Sequence, residues 1–133
     1  APVAAYVPAL RSGSHVFTSG QLPFVDGVLP GTGKVGAEVT PEDAREYARL
    51  CALNVIAAIS SVVDLDSVVR VVKLTVFVAS DPSFTGQPAV ANGASDLMAA
   101  AFGAAGSHAR SAVGVAVLPL DTPVEIDAVV EVR

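Results

Sequence analysis

A chain of 133 residues is the usual length of one domain, and a single core is possible at that size. With 8 Lys and Arg against 13 Asp and Glu, the formal net charge is −5, which argues against a phosphate-backbone binder but leaves room for a small-molecule site around one local cation. Hydrophobic residues reach 52% while charged residues make up only 16%, against roughly 25% in an average soluble domain, so apolar surface is expected to be buried between copies of the chain; the alternative is a tightly packed, alanine-rich monomer.

In chain order, Ala5 to Leu10 and His15 to Ser19 read as two short strands around the turn signal Ser12-Gly13-Ser14. Leu22 to Val39 holds four glycines and two prolines and reads as a long surface loop with one short strand. Thr40-Pro41-Glu42-Asp43 announces a helix: Thr40 as N-cap, Pro41 in the first turn, and two acids at the positive end of the dipole. Ala44, Tyr47, Ala48, Cys51, Val55, Ala58, Ile59 and Val62 keep helical spacing to about Ser61. Val68 to Ala79, rich in β-branched residues, predicts a long buried strand. A second helix is predicted over Val90 to Phe102, stopped by Gly103 and Gly106. Arg110 to Leu118 and Val124 to Val132 are the last strands. The order β-β-α-β-α-β-β predicts an α+β layer of sheet and two helices on one face, as a single domain over 1–133.

No run is long enough for a membrane span, which needs roughly 20 apolar residues; Leu50 to Val63 is bounded by Arg49 and Asp64. No signal-peptide pattern is visible in a chain that starts at Ala1. The lone Cys51 cannot form an internal disulfide and fits a reducing, cytoplasmic setting. His15, His108 and Cys51 show no metal-ligand spacing, so neither a metal nor another cofactor is expected.

Several stretches, taken in order, resemble one known family. They are Tyr6-Val7, Val16-Phe17-Thr18-Ser19-Gly20-Gln21-Leu22-Pro23, Leu53-Asn54-Val55, the strand Val72-Lys73-Leu74-Thr75-Val76-Phe77-Val78, Ala109-Arg110-Ser111, Leu118-Pro119 and Val124-Glu125-Ile126-Asp127-Ala128. Each is weak alone. The set resembles the Rid family of reactive intermediate deaminases, also called YjgF-like and formerly L-PSP endoribonucleases, with extra residues after Gly20. The resemblance implies a chorismate-mutase-like α+β fold assembled as a homotrimer, with clefts between subunits. It further implies hydrolysis of enamines and imines such as 2-aminoacrylate to 2-keto acids and ammonium, without metal or cofactor.

Arg110 matches the family's carboxylate-binding arginine, and its planar guanidinium suits a bidentate clamp on a carboxylate. The plainer alternative is a strand-end arginine in a surface salt bridge. Glu125 matches the family's acid on the last strand, where a carboxylate could orient and deprotonate water. It could equally belong to a solvated strand face, since Glu125, Asp127 and Glu131 alternate to one side. Ser19 and Gly20 are expected to offer backbone groups to a ligand, or else to form an ordinary strand-ending turn. Tyr6 matches the family's site-lining tyrosine, with half-buried packing as the alternative, and Asn92 resembles a family asparagine near the cleft, at a spacing to Arg110 one residue longer. If the last two strands paired as a hairpin centred near Asp121, Arg110 would lie roughly 23 Å from Glu125 at about 3.3 Å per residue. Either that pairing is wrong, or the site joins Arg110 of one subunit to Glu125 of another.

Two departures from the family stand out. Ala112 replaces a frequent cysteine, and His108 replaces a frequent proline. The histidine could act in proton transfer, or be an ordinary loop residue. Cys51 lies in an apolar helix stripe and reads as core. Other functions weighed are a non-catalytic ligand-binding trimer, a chorismate mutase, for which the cations show no cluster, and a ribonuclease, against which the acidic balance speaks. The expected partners are a small carboxylate and two further copies of the chain, with no membrane and no nucleic acid.

Overall fold

The computed structural model describes residues 5–133. Five strands and two helices follow in the expected order: β1 (Ala9–Ser12), β2 (His15–Thr18), α1 (Pro41–Ser60), β3 (Val68–Ala79), α2 (Gln87–Phe102), β4 (Ala109–Val115) and β5 (Val124–Val132). The strands form one mixed sheet in the order β1-β2-β5-β3-β4, with β3 and β4 parallel and every other neighbouring pair antiparallel, and with the two helices it makes an α+β fold.

The local chemistry of α1 is as the sequence predicts. Thr40 Oγ1 accepts the Asp43 N–H at 3.1 Å, and Pro41 opens the helix. Helix α2 starts at Gln87, three residues ahead of the expected Val90. Its N-cap is Gly86, which offers no side-chain acceptor to read in a sequence; Pro88 sits in the first turn instead. Strands β3 and β5 have the predicted bounds, whereas β1 is shifted from Ala5–Leu10 to Ala9–Ser12, taking in the first residue of the expected turn, and β4 stops at Val115.

The core lies between the helices and one face of the sheet. Along β5, Val124, Ile126, Ala128, Val130 and Val132 are buried, while Glu125, Asp127, Val129 and Glu131 between them are not. Leu74, Val76 and Val78 of β3 meet the same layer as Val55, Ile59, Val90 and Met98 from the helices. Each such side chain contributes roughly 1.5–3 kcal/mol on full burial. Cys51 belongs here, fully buried with Sγ 3.6 Å from the Val124 carbonyl, and burial pushes its thiol up.

One pairing weighed from the sequence is ruled out, and one expectation needs correction. The last two strands do not form a hairpin: β3 lies between them and pairs with both. A strand that returns parallel to β3 needs a crossover, and α2 supplies it. Nor is residues 22–39 simply a surface loop. Its only ladder-like pairs are isolated bridges, but Val35 and Val39 are buried, and Val35 exchanges hydrogen bonds with Ala79 O at 2.8 Å and Asp81 N at 2.9 Å.

Candidate functional site

Glu125 stands on the open face of β5, opposite Phe77. Just past β2, Gln21 pairs with Ile126 through two backbone hydrogen bonds of 2.7 and 3.0 Å, which brings Gly20 against the Glu125 side chain. A Cβ on Gly20 would overlap the Glu125 carboxylate, so the absence of a side chain there is what admits the acid. The two residues share a cavity of about 440 Å3 with Tyr6, Leu22, Phe24 and Leu120. Burial holds the Glu125 carboxyl above its usual range, and the neighbouring Asp127 raises it further. Tyr6 and Glu125 are the only ionisable groups lining this cavity among the described residues, so it has no cation for an anionic ligand.

The cavity walls are tied in place. Asn54 Nδ2 donates to the Leu22 carbonyl at 2.8 Å and the Phe24 carbonyl at 3.1 Å. Ser19 Oγ donates to Val7 O at 2.6 Å and its N–H to Pro8 O at 2.8 Å, fixing the stretch that carries Tyr6. Ser19 does not itself line the cavity. On the far wall, Leu120 and Asp121 both have φ of 58°, the left-handed region that L-residues seldom enter. Asp121 is held there by Lys34 Nζ at 2.5 Å and by the Gly33 N–H at 2.9 Å on its carbonyl.

Arg110 lies elsewhere, on edge strand β4 opposite Leu74, and faces α2. Its Nη1 donates to Asn92 Oδ1 at 2.8 Å and to Ser95 Oγ at 3.1 Å. Nη2 meets Pro88 O only at 3.5 Å. With both Nη1 hydrogens engaged, the Nε–Nη2 edge is the fork left for a carboxylate. Ser95, His108 and Gly106 line the adjoining cleft.

The structure therefore gathers Tyr6, Gly20 and Glu125 at one place and Arg110 and Asn92 at another. Arg110 is level with Leu74 and Ala128, Glu125 is three residues further along β5, and two strand spacings separate them. That places their Cα atoms roughly 14 Å apart at about 3.3 Å per residue and 4.8 Å per strand, with the side chains on opposite faces. One chain does not bring them to a common ligand. Among the residues sequence reasoning missed, Ser95 had no signal beyond helical spacing. Leu120 had none either, because it precedes Asp121, which the distant Lys34 and Gly33 hold in place.

No helix among the described residues is long and apolar enough to cross a membrane, and no group of His, Cys, Asp or Glu among them is placed to hold a metal.

Fold and site define a mixed α+β protein of five strands and two helices, with an acid in an apolar cavity and an arginine fork on the opposite face. The sequence pattern of the endoribonuclease L-PSP family matches residues 1–132, and the chain belongs to that family, also called YjgF-like or Rid. It is 51% identical over 135 residues to Protein TCP17 of Trypanosoma cruzi, covering 100% of this chain and 84% of that protein. It is 36% identical over 124 residues, 93% of this chain and 84% of the relative, to TdcF of Escherichia coli (strain K12), named as a candidate reactive intermediate deaminase. Among solved structures, Atu1372 of Agrobacterium tumefaciens, a protein of unknown function, superposes with a TM-score of 0.96 at 48% identity, over 99% of this chain and 85% of that one. The E. coli TdcF crystal structure with bound serine superposes at 0.69 with 29% identity, over 99% and 91%.

Proposed function

We propose that the chain hydrolyses reactive enamines and imines of amino acids, such as 2-aminoacrylate, to 2-keto acids and ammonium, in clefts between the subunits of a homotrimer. The observation that carries this reading is the division of labour across the sheet. The acid's cavity lacks a cation, and the arginine's open fork lacks an acid. A second copy placing its Arg110 at the mouth of the Glu125 cavity supplies what each lacks. The open sheet face offers the surface for such packing: Leu10, Phe17 and Val113, 50%, 45% and 40% exposed, share it with Phe77 and Val129.

In that cleft the substrate carboxylate sits on the Nε–Nη2 edge of Arg110, with the C=N carbon above Glu125. Glu125 takes a proton from water as the oxygen adds to the carbon of the protonated C=N group, which gives a neutral carbinolamine. Glu125 then returns that proton to the nitrogen, the C–N bond breaks as the C=O bond forms, and the hydroxyl proton passes to the departing ammonia, which leaves as ammonium. Gly20 allows the acid its position, and Tyr6 and Leu120 cover the substrate.

The test is 2-keto acid release from enzymatically generated imines. Arg110→Ala should lower kcat/KM at least about tenfold, as loss of charged hydrogen bonds of about 1.5–3 kcal/mol implies. Arg110→Lys should recover it only in part, since lysine lacks the fork. Wild-type protein that releases no keto acid from any imine overturns the reading. The serine bound in E. coli TdcF favours, as a second reading, a protein that binds amino-acid carboxylates without turning them over.

A further inference from the structure

Arg110 is held by a chain of hydrogen bonds that ends on a histidine. His108 lies just ahead of β4, two residues before Arg110, and both side chains meet Ser95 of α2. Its Nδ1 lies 2.7 Å from the Gly106 carbonyl oxygen, and its Nε2 lies 2.8 Å from Ser95 Oγ. A carbonyl only accepts, so Nδ1 carries the proton; in the neutral ring Nε2 is then an acceptor. Ser95 must donate its hydroxyl proton to Nε2, which turns the oxygen's lone pairs to Arg110 Nη1 at 3.1 Å. The carbonyl at the end of the chain is itself fixed. Gly106 is buried against α2 so closely that a Cβ would overlap the Met98 carbonyl oxygen.

We propose that His108 is a positioning residue for Arg110, acting through the Ser95 hydroxyl: it sets the direction in which the Nε–Nη2 edge meets a carboxylate. This rests on the reading of Arg110 as the carboxylate clamp. Without an acceptor at the Nε2 position, a helical serine hydroxyl turns to the carbonyl four residues back, here Ala91. Arg110 Nη1 then keeps Asn92 alone, with only the long contact of Nη2 to the Pro88 carbonyl besides, so the guanidinium pivots about the Asn92 bond and the two-point fit to the carboxylate is lost. A clamp that depends on alignment is sensitive to such small displacements. The effect falls on binding, because His108 touches neither the reacting carbon nor the water.

The experiment uses the full chain in four forms besides wild type: His108→Ala, His108→Gln, Ser95→Ala and the Ser95→Ala/His108→Ala double variant. Two readouts run in parallel, keto acid release from imines formed in situ and calorimetric binding of 2-oxobutanoate as the carboxylate probe. His108→Ala and Ser95→Ala should each raise KM and the probe's Kd by about three- to tenfold, with kcat held within about twofold. The double variant should be no worse than either single one, because both cut the same chain. His108→Gln, whose amide oxygen can accept from Ser95, should recover most of the affinity.

Unchanged KM and Kd in His108→Ala, additive losses in the double variant, or a fall confined to kcat overturns the proposal. Should His108→Ala fail to fold, the contrast between Ser95→Ala and His108→Gln decides. Wild-type protein that binds the probe but releases no keto acid sinks the deaminase reading alone, and positioning is then judged on Kd. Wild-type protein that does neither overturns both.

Discussion

Gly20 and Glu125 occupy one space between them, and the first predictions concern that pair. Gly20→Ala requires the Glu125 carboxylate to swing away, because the overlap is with the far end of a flexible side chain rather than with backbone. The fold should survive, with a melting temperature close to wild type. Displacement of a reacting group by an ångström can lower turnover by about 100-fold, so kcat should fall by at least tenfold. A steady-state assay with a parallel thermal melt checks both halves. The raised Glu125 carboxyl gives a second prediction. The base form does the work, so kcat should rise with pH through a value above the ordinary carboxylate range, and Glu125→Gln should abolish that limb along with most of the activity. Stability runs the other way. A carboxyl raised in the folded state contributes most while protonated, and that contribution is lost as pH rises through the raised value. Glu125→Gln should therefore melt higher than wild type at neutral pH, with the gain disappearing near pH 4, about the ordinary glutamate value. Motif matching makes Arg110 and Glu125 legible in the sequence as candidates. That they leave the sheet on opposite faces is not legible there, because a side chain's face depends on the register of strands far apart in the chain.

At the scale of elements, α1 and α2 cross where Gly93 meets Arg45. A Cβ on Gly93 would overlap the Arg45 carbonyl oxygen, and backbone cannot rotate aside. Gly93→Ala should force the helices apart and cost about 1–3 kcal/mol, the range for overpacking a close contact; chemical denaturation would read it as a lower midpoint at unchanged slope. Glycine within a predicted helix signals only weakened propensity in a sequence, so this close approach emerges from the packing. The elements with local signals were legible: the Thr40 cap and Pro41 fix α1, and the β-branched run fixes β3. The start of α2 was not, because its cap is a glycine with no side-chain bond. The hairpin weighed for β4 and β5 does not form, for a related reason. Pro119 to Asp121 looks like a hairpin link, but pairing is decided by which strand can be buried on the helix side between the two. Leu74, Val76 and Val78 give β3 that place.

For the whole molecule, low charge content and the apolar side chains on the open sheet face, Leu10, Phe17 and Val113 among them, argue for assembly, and the separation of Arg110 from Glu125 says what assembly would do. Chains carrying Arg110→Ala and chains carrying Glu125→Gln should each be nearly inactive alone. Mixed under conditions where subunits exchange, they should regain activity, because some clefts then contain neither substitution. Sedimentation should show a trimer throughout. No recovery despite demonstrated exchange would place both residues in the service of one chain's own site, or Glu125 in none.

The left-handed pair at Leu120 and Asp121 has a consequence for how this protein can change over generations. A non-glycine residue in that conformation costs roughly 1–2 kcal/mol, and Leu120 is 69% exposed, so little packing offsets it. Leu120→Gly removes that strain and adds a similar backbone-entropy cost of about 0.5–1 kcal/mol. The melting temperature should therefore stay within a few degrees of wild type while one wall of the cavity is cut back. At this position the range of accepted side chains can drift while the fold is held constant, so descendants of one ancestral chain could diverge in substrate here without first acquiring compensating substitutions elsewhere.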